Sequence, residues 1–152
     1  MKLNLGCGQL KFDGFENLDY PQLDLRKPLP YSDDSVEEIR MIHVLEHLRK
    51  DEAERCLVEC RRVLIPEGKL IVEVPDVEKC YVAARSTDEL SAYLYGDPAN
   101  SKNGNVLEYH RWGWIGAGLA QAMGKAGFKS ALIRNGKFHN RPDRDTLVEG
   151  TK

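Results

Sequence analysis

The feature that most constrains the fold is the segment 38–74, in which a helical pattern lies between two strand patterns. From Asp51 onward, apolar residues recur at steps of three and four positions: Ala53, Cys56, Leu57, Cys60, Val63 and Leu64. This spacing predicts an amphipathic helix with one apolar face. The following run KLIVEV is apolar and β-branched and ends at Pro75, which is typical of a central parallel strand. The segment therefore predicts a strand-helix-strand unit.

The rest of the chain continues this alternation. Besides 38–44 and 69–74, strand patterns occupy residues 2–5, 15–19, 23–25, 130–134 and 145–150, and helical patterns occupy 77–94 and 115–126. Gly127 is placed to end the last helix. We therefore predict an α/β fold with helices on both faces of the sheet. In such sheets ligands bind at the carboxyl ends of the strands.

Length and charge limit the classes of protein that fit. The 152 residues predict one domain, 1–152, and the 22 basic against 24 acidic residues leave a net charge of −2. Nucleic-acid binding is disfavoured, because it needs a basic excess. No apolar run is long enough for a membrane helix, and the first residues lack the apolar core of a signal peptide. We expect a cytoplasmic protein without membrane attachment.

The cysteines and one histidine motif raise the question of a metal. Cys7, Cys56, Cys60 and Cys80 form no CxxC pair, so we predict free thiols, with Cys56 and Cys60 buried on one helix face. The segment from His43 to His47 matches HxxEH, a zinc-peptidase signature that requires both histidines on one helical face. His43 ends a strand pattern instead, so zinc hydrolysis remains a minor alternative and we predict no metal.

A glycine turn follows the first strand and points to a bound nucleoside. Glycines 6 and 8 allow close backbone approach to a ligand, and Asp19 ends the next strand pattern. A dinucleotide fingerprint requires GxGxxG, but Lys11 takes the third glycine position and the connection is too short for a crossover helix. A ligand without phosphates needs only backbone N–H groups for a carboxylate and an acid for the ribose hydroxyls. S-adenosylmethionine fits these two requirements.

Nearly the whole chain carries a family resemblance in the same order of motifs. The segments are LNLGCG (3–8), GFENLD (14–19), DLRKPLPYSDDSVEEI (24–39), HVLEHL (43–48), ECRRVLIPEGKLIVEVPD (59–76) and HRWGW (110–114). Together they resemble the class I S-adenosylmethionine-dependent methyltransferases, most closely the short type 11 members. The resemblance implies a Rossmann-like three-layer sandwich whose mostly parallel, seven-stranded sheet has the order 3-2-1-4-5-7-6, with the last strand antiparallel. The chain departs from the family pattern at Glu67 and in lacking a helix before the first strand.

The resemblance also implies a cofactor site. Its residues are Leu5, Gly6, Cys7, Gly8, Asp19, Asp24, Leu25 and His43. Gly6 and Gly8 line the methionine moiety and Asp19 holds the ribose hydroxyls in this interpretation. Asp24 meets the adenine amino group, with the Leu25 backbone beside it. The alternative for each is a structural role, since glycines and aspartates also form turns and caps.

Four residues are candidates for the acceptor side. His43, Glu46, His110 and Arg111 combine titratable and hydrogen-bonding groups after the fourth strand pattern and in the HRWGW segment. We predict methyl transfer to an oxygen or nitrogen of a small-molecule or glycan-type acceptor, by a monomer or homodimer. His43 is the first candidate base, and His110 with Arg111 would position the acceptor. The main alternative is a module that binds S-adenosylmethionine without catalysis.

Overall fold

One mixed sheet carries the fold in this computed structural model, which describes residues 1–96 and 109–152. Within these residues the strands are β1 (Lys2–Leu5), β2 (Glu16–Leu18), β3 (Val36–Ile42), β4 (Leu64–Pro75), β5 (Lys129–Asn135) and β6 (Asp145–Thr151). The helices are α1 (Lys50–Val63), α2 (Val77–Ala83), α3 (Thr87–Tyr95) and α4 (Gly116–Lys125), and a 3-10 turn spans Leu45–His47. None of the helices in these two stretches is long and apolar enough to cross a membrane.

The sheet confirms the predicted α/β class. Its order is β2-β1-β3-β4-β6-β5, with β1 to β4 parallel. The last strand, β6, is antiparallel to both β4 and β5, as predicted. The sheet described here has six strands rather than seven, because the strand predicted at 23–25 is not formed.

Local turns explain the missing outer strand. The Leu23 N–H donates to the Asp19 carbonyl oxygen at 3.1 Å, and the Lys27 N–H donates to the Asp24 carbonyl oxygen at 3.0 Å. These bonds fold the backbone back on itself, so it cannot join a ladder beside β2. Leu23 is nevertheless buried in the core. Its apolar side chain suggested a strand, but Leu23 packs into the core from a loop.

Two helix predictions require correction. The helix predicted from Asp51 begins at Lys50, and the Glu52 carboxylate accepts from the Arg49 N–H at 2.9 Å. The helix predicted at 77–94 is divided into α2 and α3. The second of these helices, α3, begins after Ser86, because the Ser86 hydroxyl accepts from the Glu89 N–H at 3.1 Å and so caps the helix.

The two faces of the sheet are covered differently. Helices α1 and α4 contact each other on one face, over a core that includes Leu3, Ile39, Met41, Leu57 and Met123. On the opposite face, Arg40 of β3 lies against the rings of Phe12, Phe15 and Phe138, at 4.6, 4.4 and 5.5 Å from their centroids. The β1–β2 connection that supplies two of these rings contains no helix. As its length predicted, this connection has no crossover helix, and aromatic side chains contact the sheet face in its place.

The prediction for the cysteines is confirmed. Cys7, Cys56, Cys60 and Cys80 are all free and all buried. Cys56 and Cys60 lie on the apolar face of α1, within the main hydrophobic cluster. They behave as small core residues.

Candidate functional site

A pocket lies where β1, β2 and β3 end. Its volume is about 280 Å³, and it is lined in part by Gly6, Gly8, Asp19, Asp24, Leu25 and His43. Six of the eight predicted cofactor residues therefore meet at one cavity. Leu5 and Cys7 do not line it. They are 0% and 5% exposed, and their contact with a cofactor stays a prediction.

The two glycines of the turn differ in their surroundings. Both have a positive φ, +65° at Gly6 and +45° at Gly8. A Cβ on Gly6 would lie 2.6 Å from a methyl group of Val44, whereas a Cβ on Gly8 would meet nothing within 4 Å. Gly6 is therefore required by packing under the turn. Gly8 leaves open space at the pocket.

Asp19 is fixed by the turn that it faces. Its Oδ2 accepts from the Gly8 N–H at 3.1 Å and its Oδ1 accepts from the Tyr20 N–H at 2.9 Å. Each carboxylate oxygen keeps lone-pair capacity for a further donor. Within the described residues, no lysine or arginine forms an ion pair with this carboxylate. The side chain thus presents an anionic acceptor to the pocket.

Asp24 is already paired with Arg26. The guanidinium donates from Nε to Oδ1 at 2.7 Å and from Nη2 to Oδ2 at 2.8 Å. This hydrogen-bonded partner lowers the pKa of the Asp24 carboxyl to about 2. A ligand amino group at Asp24 would have to share the carboxylate with Arg26, which also lines the pocket.

His43 stands at the carboxyl end of β3 with a φ of +54°. Its Nε2 lies 3.1 Å from Asp145 Oδ2 and its Nδ1 lies 3.2 Å from Glu46 Oε1. Burial lowers the pKa of His43, but the hydrogen bond to Asp145 and the contact with Glu46 outweigh it and raise the pKa to about 9. At neutral pH the ring is therefore a cation with a carboxylate oxygen within 3.2 Å of each nitrogen. This arrangement argues against the predicted role of His43 as a general base.

Long-range contacts build the surroundings of His43. Asp145, which is fully buried, also accepts from Arg144 at 2.6 and 3.0 Å, and the His43 ring stacks on His139 at 4.0 Å. The fully buried carboxylate of Glu73 accepts from the backbone N–H groups of residues 137, 138 and 139 and so fixes the loop that carries His139. Sequence analysis missed Asp145 and Glu73, because both lie in strand patterns.

The other predicted acceptor residues lie together beside His43. The Glu46 carbonyl oxygen accepts from the N–H groups of Arg111 and Trp112, at 2.7 and 3.2 Å. His110 packs edge-on against His47, with ring centroids 5.1 Å apart. Arg111 and His47 line the pocket, so this cluster borders the space in which the predicted cofactor would lie. Burial lowers the pKa of His110, which favours its neutral form.

Several pocket residues were not found from the sequence. They are Tyr20, Leu23, Arg26, Val44, His47, Leu48 and Glu52. Only Glu52 and His47 carried a signal, as the first-turn acid of a helix pattern and as part of the HxxEH motif. The HxxEH geometry of a peptidase is absent, because His43 lies outside any helix and His47 ends a 3-10 turn.

Comparison with known proteins agrees with this architecture. Residues 3–72 match the family described as "Methyltransferase domain". The match covers 70 of the 152 residues, just under half of the chain. No curated protein matches it.

Solved structures share the fold at low sequence identity. An S-adenosylmethionine-dependent methyltransferase from Archaeoglobus fulgidus has 12% identity and a TM-score of 0.66, over 99% of this chain and 85% of that one. A possible histamine N-methyltransferase from Thermotoga maritima has 18% identity and a TM-score of 0.62, over 99% and 81%. A methyltransferase from Haloferax volcanii, solved with the Trm112 activator, has 14% identity and a TM-score of 0.64, again over 99% and 81%. At these identities the likeness concerns the fold alone.

Proposed function

We propose that this chain is a methyltransferase domain that binds S-adenosylmethionine in the pocket at the ends of β1, β2 and β3 and transfers its methyl group to an oxygen or nitrogen of a small-molecule or glycan-type acceptor. The observation that carries the proposal is the unit formed by the Gly6–Gly8 turn and Asp19. It combines an open backbone position with an anchored, unpaired carboxylate at the edge of the sheet where ligands bind.

The pocket residues match the parts of this cofactor. The Asp19 carboxylate offers acceptors to two neighbouring ribose hydroxyls, in charge-assisted hydrogen bonds. The open space at Gly8 accommodates the methionine moiety close to the backbone. Asp24 and Leu25 lie along the same pocket and are assigned to the adenine end.

The transfer itself makes limited demands on this chain. When bound, S-adenosylmethionine supplies an activated methyl group on a sulfonium. The residues of the chain must then align an acceptor atom with that methyl group and exclude water, and alignment alone can supply much of the acceleration. Arg111 and His47 line the pocket and are placed to orient the acceptor. His43, as a buried cation between Asp145 and Glu46, holds the wall of the site in shape.

The decisive experiment measures binding and transfer separately. Calorimetry with S-adenosylmethionine tests the cofactor site, and transfer of a labelled methyl group across a panel of hydroxyl and amine acceptors tests the reaction. Micromolar or tighter cofactor binding with methylated product supports the proposal. Binding without product on every acceptor supports the non-catalytic module, and the absence of binding contradicts both.

Substitution of the turn glycines separates binding from folding. In Gly8→Val the side chain enters the pocket, so we expect cofactor affinity to fall at least about 10-fold, while the positive φ costs about 1–2 kcal/mol of stability. In Gly6→Ala the new methyl group collides with Val44, so the main loss is in the free energy of unfolding. Calorimetry and urea denaturation of both variants check this. Normal cofactor binding by Gly8→Val would show that the space at Gly8 is not used.

Arg111 tests the acceptor side. Arg111→Ala is expected to leave cofactor affinity within about 2-fold of the wild type and to raise KM or lower kcat about 10-fold, because one charged hydrogen bond to the acceptor is lost. Arg55→Ala is the matched control, since Arg55 is an exposed arginine of α1 outside this pocket. Equal turnover in the two variants would remove Arg111 from the acceptor site.

A further inference from the structure

Glu46 is a buried carboxylate with no hydrogen-bond partner. Its side chain is 2% exposed, and neither Oε1 nor Oε2 accepts a hydrogen bond within the described residues. Oε1 lies 3.2 Å from His43 Nδ1, but the two groups are not aligned as donor and acceptor. Burying a carboxylate that accepts no hydrogen bond costs free energy of folding, and a bound cation is one of the few groups that compensate for this cost.

Two imidazoles surround this carboxylate. Glu46, His47 and His110 each bring one potential ligand atom to within 4.8 Å of the others. His47 Nδ1 lies 3.3 Å from the Tyr109 carbonyl oxygen, which favours a proton on Nδ1 and leaves Nε2 free. Metal-binding histidines commonly have such a carbonyl partner on the second nitrogen, because it fixes the tautomer and the ring.

The backbone holds the three residues in place from both sides. The Glu46 carbonyl oxygen accepts from the N–H groups that follow His110, and the His110 N–H donates to the Tyr95 carbonyl oxygen at the end of α3, at 3.1 Å. The cluster therefore joins the turn after β3 to α3 and to the segment 109–112. Its assembly does not depend on side-chain contacts alone.

A second group of potential ligands is less suited to a metal. His43, His139 and Asp145 also lie within 4.8 Å of one another. The Asp145 carboxylate, however, is already paired with Arg144 and with His43. An added cation there would have to displace an existing one. Within the described residues Glu46 faces one cation, His43, and accepts no hydrogen bond, which makes the first cluster the better site.

We propose that Glu46, His47 and His110 bind one divalent transition-metal ion of the Zn²⁺ type. Two imidazole nitrogens and one carboxylate oxygen are a donor set that suits this ion, and three protein ligands leave a fourth position open. Bonds of about 2.0–2.2 Å require ligand atoms about 3.3–3.6 Å apart, so atoms that lie within 4.8 Å of one another have to close by at most about 1.5 Å around the ion. The imidazoles of His47 and His110 have room to move, because both side chains are only partly buried.

The location of the proposed metal ion indicates which ligand its open fourth coordination position would take. His47 also lines the pocket, so an ion held there lies beside the space assigned to the acceptor. An acceptor oxygen, as hydroxyl or carboxylate, is the class of ligand that would occupy the fourth position. This assignment rests on the proposed methyl transfer, whereas the metal site itself does not.

Metal titration tests the site directly. Protein freed of metal with a chelator is titrated with Zn²⁺ against a chromophoric competitor, and separately with Co²⁺ while the visible d–d bands are recorded. We expect one ion per chain and cobalt bands of a four- or five-coordinate site. His110→Ala and Glu46→Gln should each weaken Zn²⁺ binding by about 100-fold or more. His139→Ala is the matched control, since it removes one of the two histidines of the neighbouring cluster and should bind Zn²⁺ normally.

Three outcomes would overturn the metal proposal. They are absence of stoichiometric binding, binding that His139→Ala weakens and His110→Ala does not, and an octahedral cobalt spectrum typical of weakly held ions. Circular dichroism of each variant excludes unfolding as the cause, and His110→Ala tests the site even if Glu46→Gln is unstable. Calorimetry with S-adenosylmethionine on the metal-free protein is scored separately, so failure of the cofactor site and failure of the metal site are distinguishable.

Discussion

His43→Ala is expected to lower the free energy of unfolding by about 3–5 kcal/mol near neutral pH, because removing one partner of a buried ion pair leaves uncompensated charge. The side chain of His43 is 12% exposed and lies between Asp145 and Glu46. Its loss leaves Glu46 without any cation, while Asp145 retains Arg144. Urea denaturation in the presence of a chelator measures the effect in the metal-free protein.

The same substitution should change the pH dependence of stability. The pKa of His43 rises from its ordinary value of 6.5 to about 9 in the folded chain. Its contribution is therefore complete below pH 6.5 and is lost as the pH increases toward about 9. The difference in stability between the wild type and His43→Ala should shrink over this interval. A difference that stays constant from pH 6 to about 9 would show that His43 is not charged in the fold.

His139→Ala is the matched control for this experiment. His139 is an exposed histidine that contributes a ring stacked on His43, and its backbone N–H bond to Glu73 survives the substitution. Loss of one stacked ring is expected to cost no more than about 1 kcal/mol. A loss as large as that of His43→Ala would assign the stability to the stack rather than to the ion pairs.

Asp19→Ala is expected to weaken binding of S-adenosylmethionine by about 10- to 150-fold, with the fold retained. Charge-assisted hydrogen bonds to the ribose are worth about 1.5–3 kcal/mol, and each 1.4 kcal/mol is a factor of about ten in affinity. Part of the loss comes from the turn, because the Gly8 N–H also donates to this carboxylate. Isothermal calorimetry measures the affinity, and circular dichroism verifies the fold.

Two further variants isolate the role of the Asp19 charge. Asp19→Asn retains a side-chain oxygen for the turn but loses the negative charge, so it should fall between the wild type and Asp19→Ala. Asp13→Ala removes an exposed acid of the same β1–β2 connection, outside the pocket, and should bind normally. Unchanged affinity in Asp19→Ala would contradict its assignment to the ribose.

Patterns within short stretches of sequence determined the class of fold. The apolar spacing of α1 and the β-branched run of β4 are local properties, and the structure forms both elements where they were predicted, to within a few residues. The glycine turn and Asp19 were likewise predicted from neighbouring residues, because a turn is specified by the residues that form it. The predicted class, the parallel arrangement of β1 to β4 and the antiparallel last strand are confirmed.

The errors in the elements arose where local patterns are ambiguous. Residues 23–25 are apolar enough for a strand, yet turn hydrogen bonds at Leu23 and Lys27 hold them in a loop. The helical pattern at 77–94 continues across Ser86, where a side-chain cap starts a new helix. In both places the apolar residues indicate that side chains are buried. The backbone conformation that buries them is determined by hydrogen bonds, which the apolar pattern does not show.

Only the tertiary structure decided the electrostatic character of the site. As a sequence element, His43 resembled a base near neutrality, but Asp145 lies 102 residues away in the chain and 3.1 Å away in space. Likewise, His110 reaches Glu46 and His47 only through the packing of the 109–112 segment against the turn after β3. The protonation of a side chain depends on burial and on charges within a few ångströms. Sequence supplies the titratable groups, whereas the fold brings their partners together and thereby sets their charge.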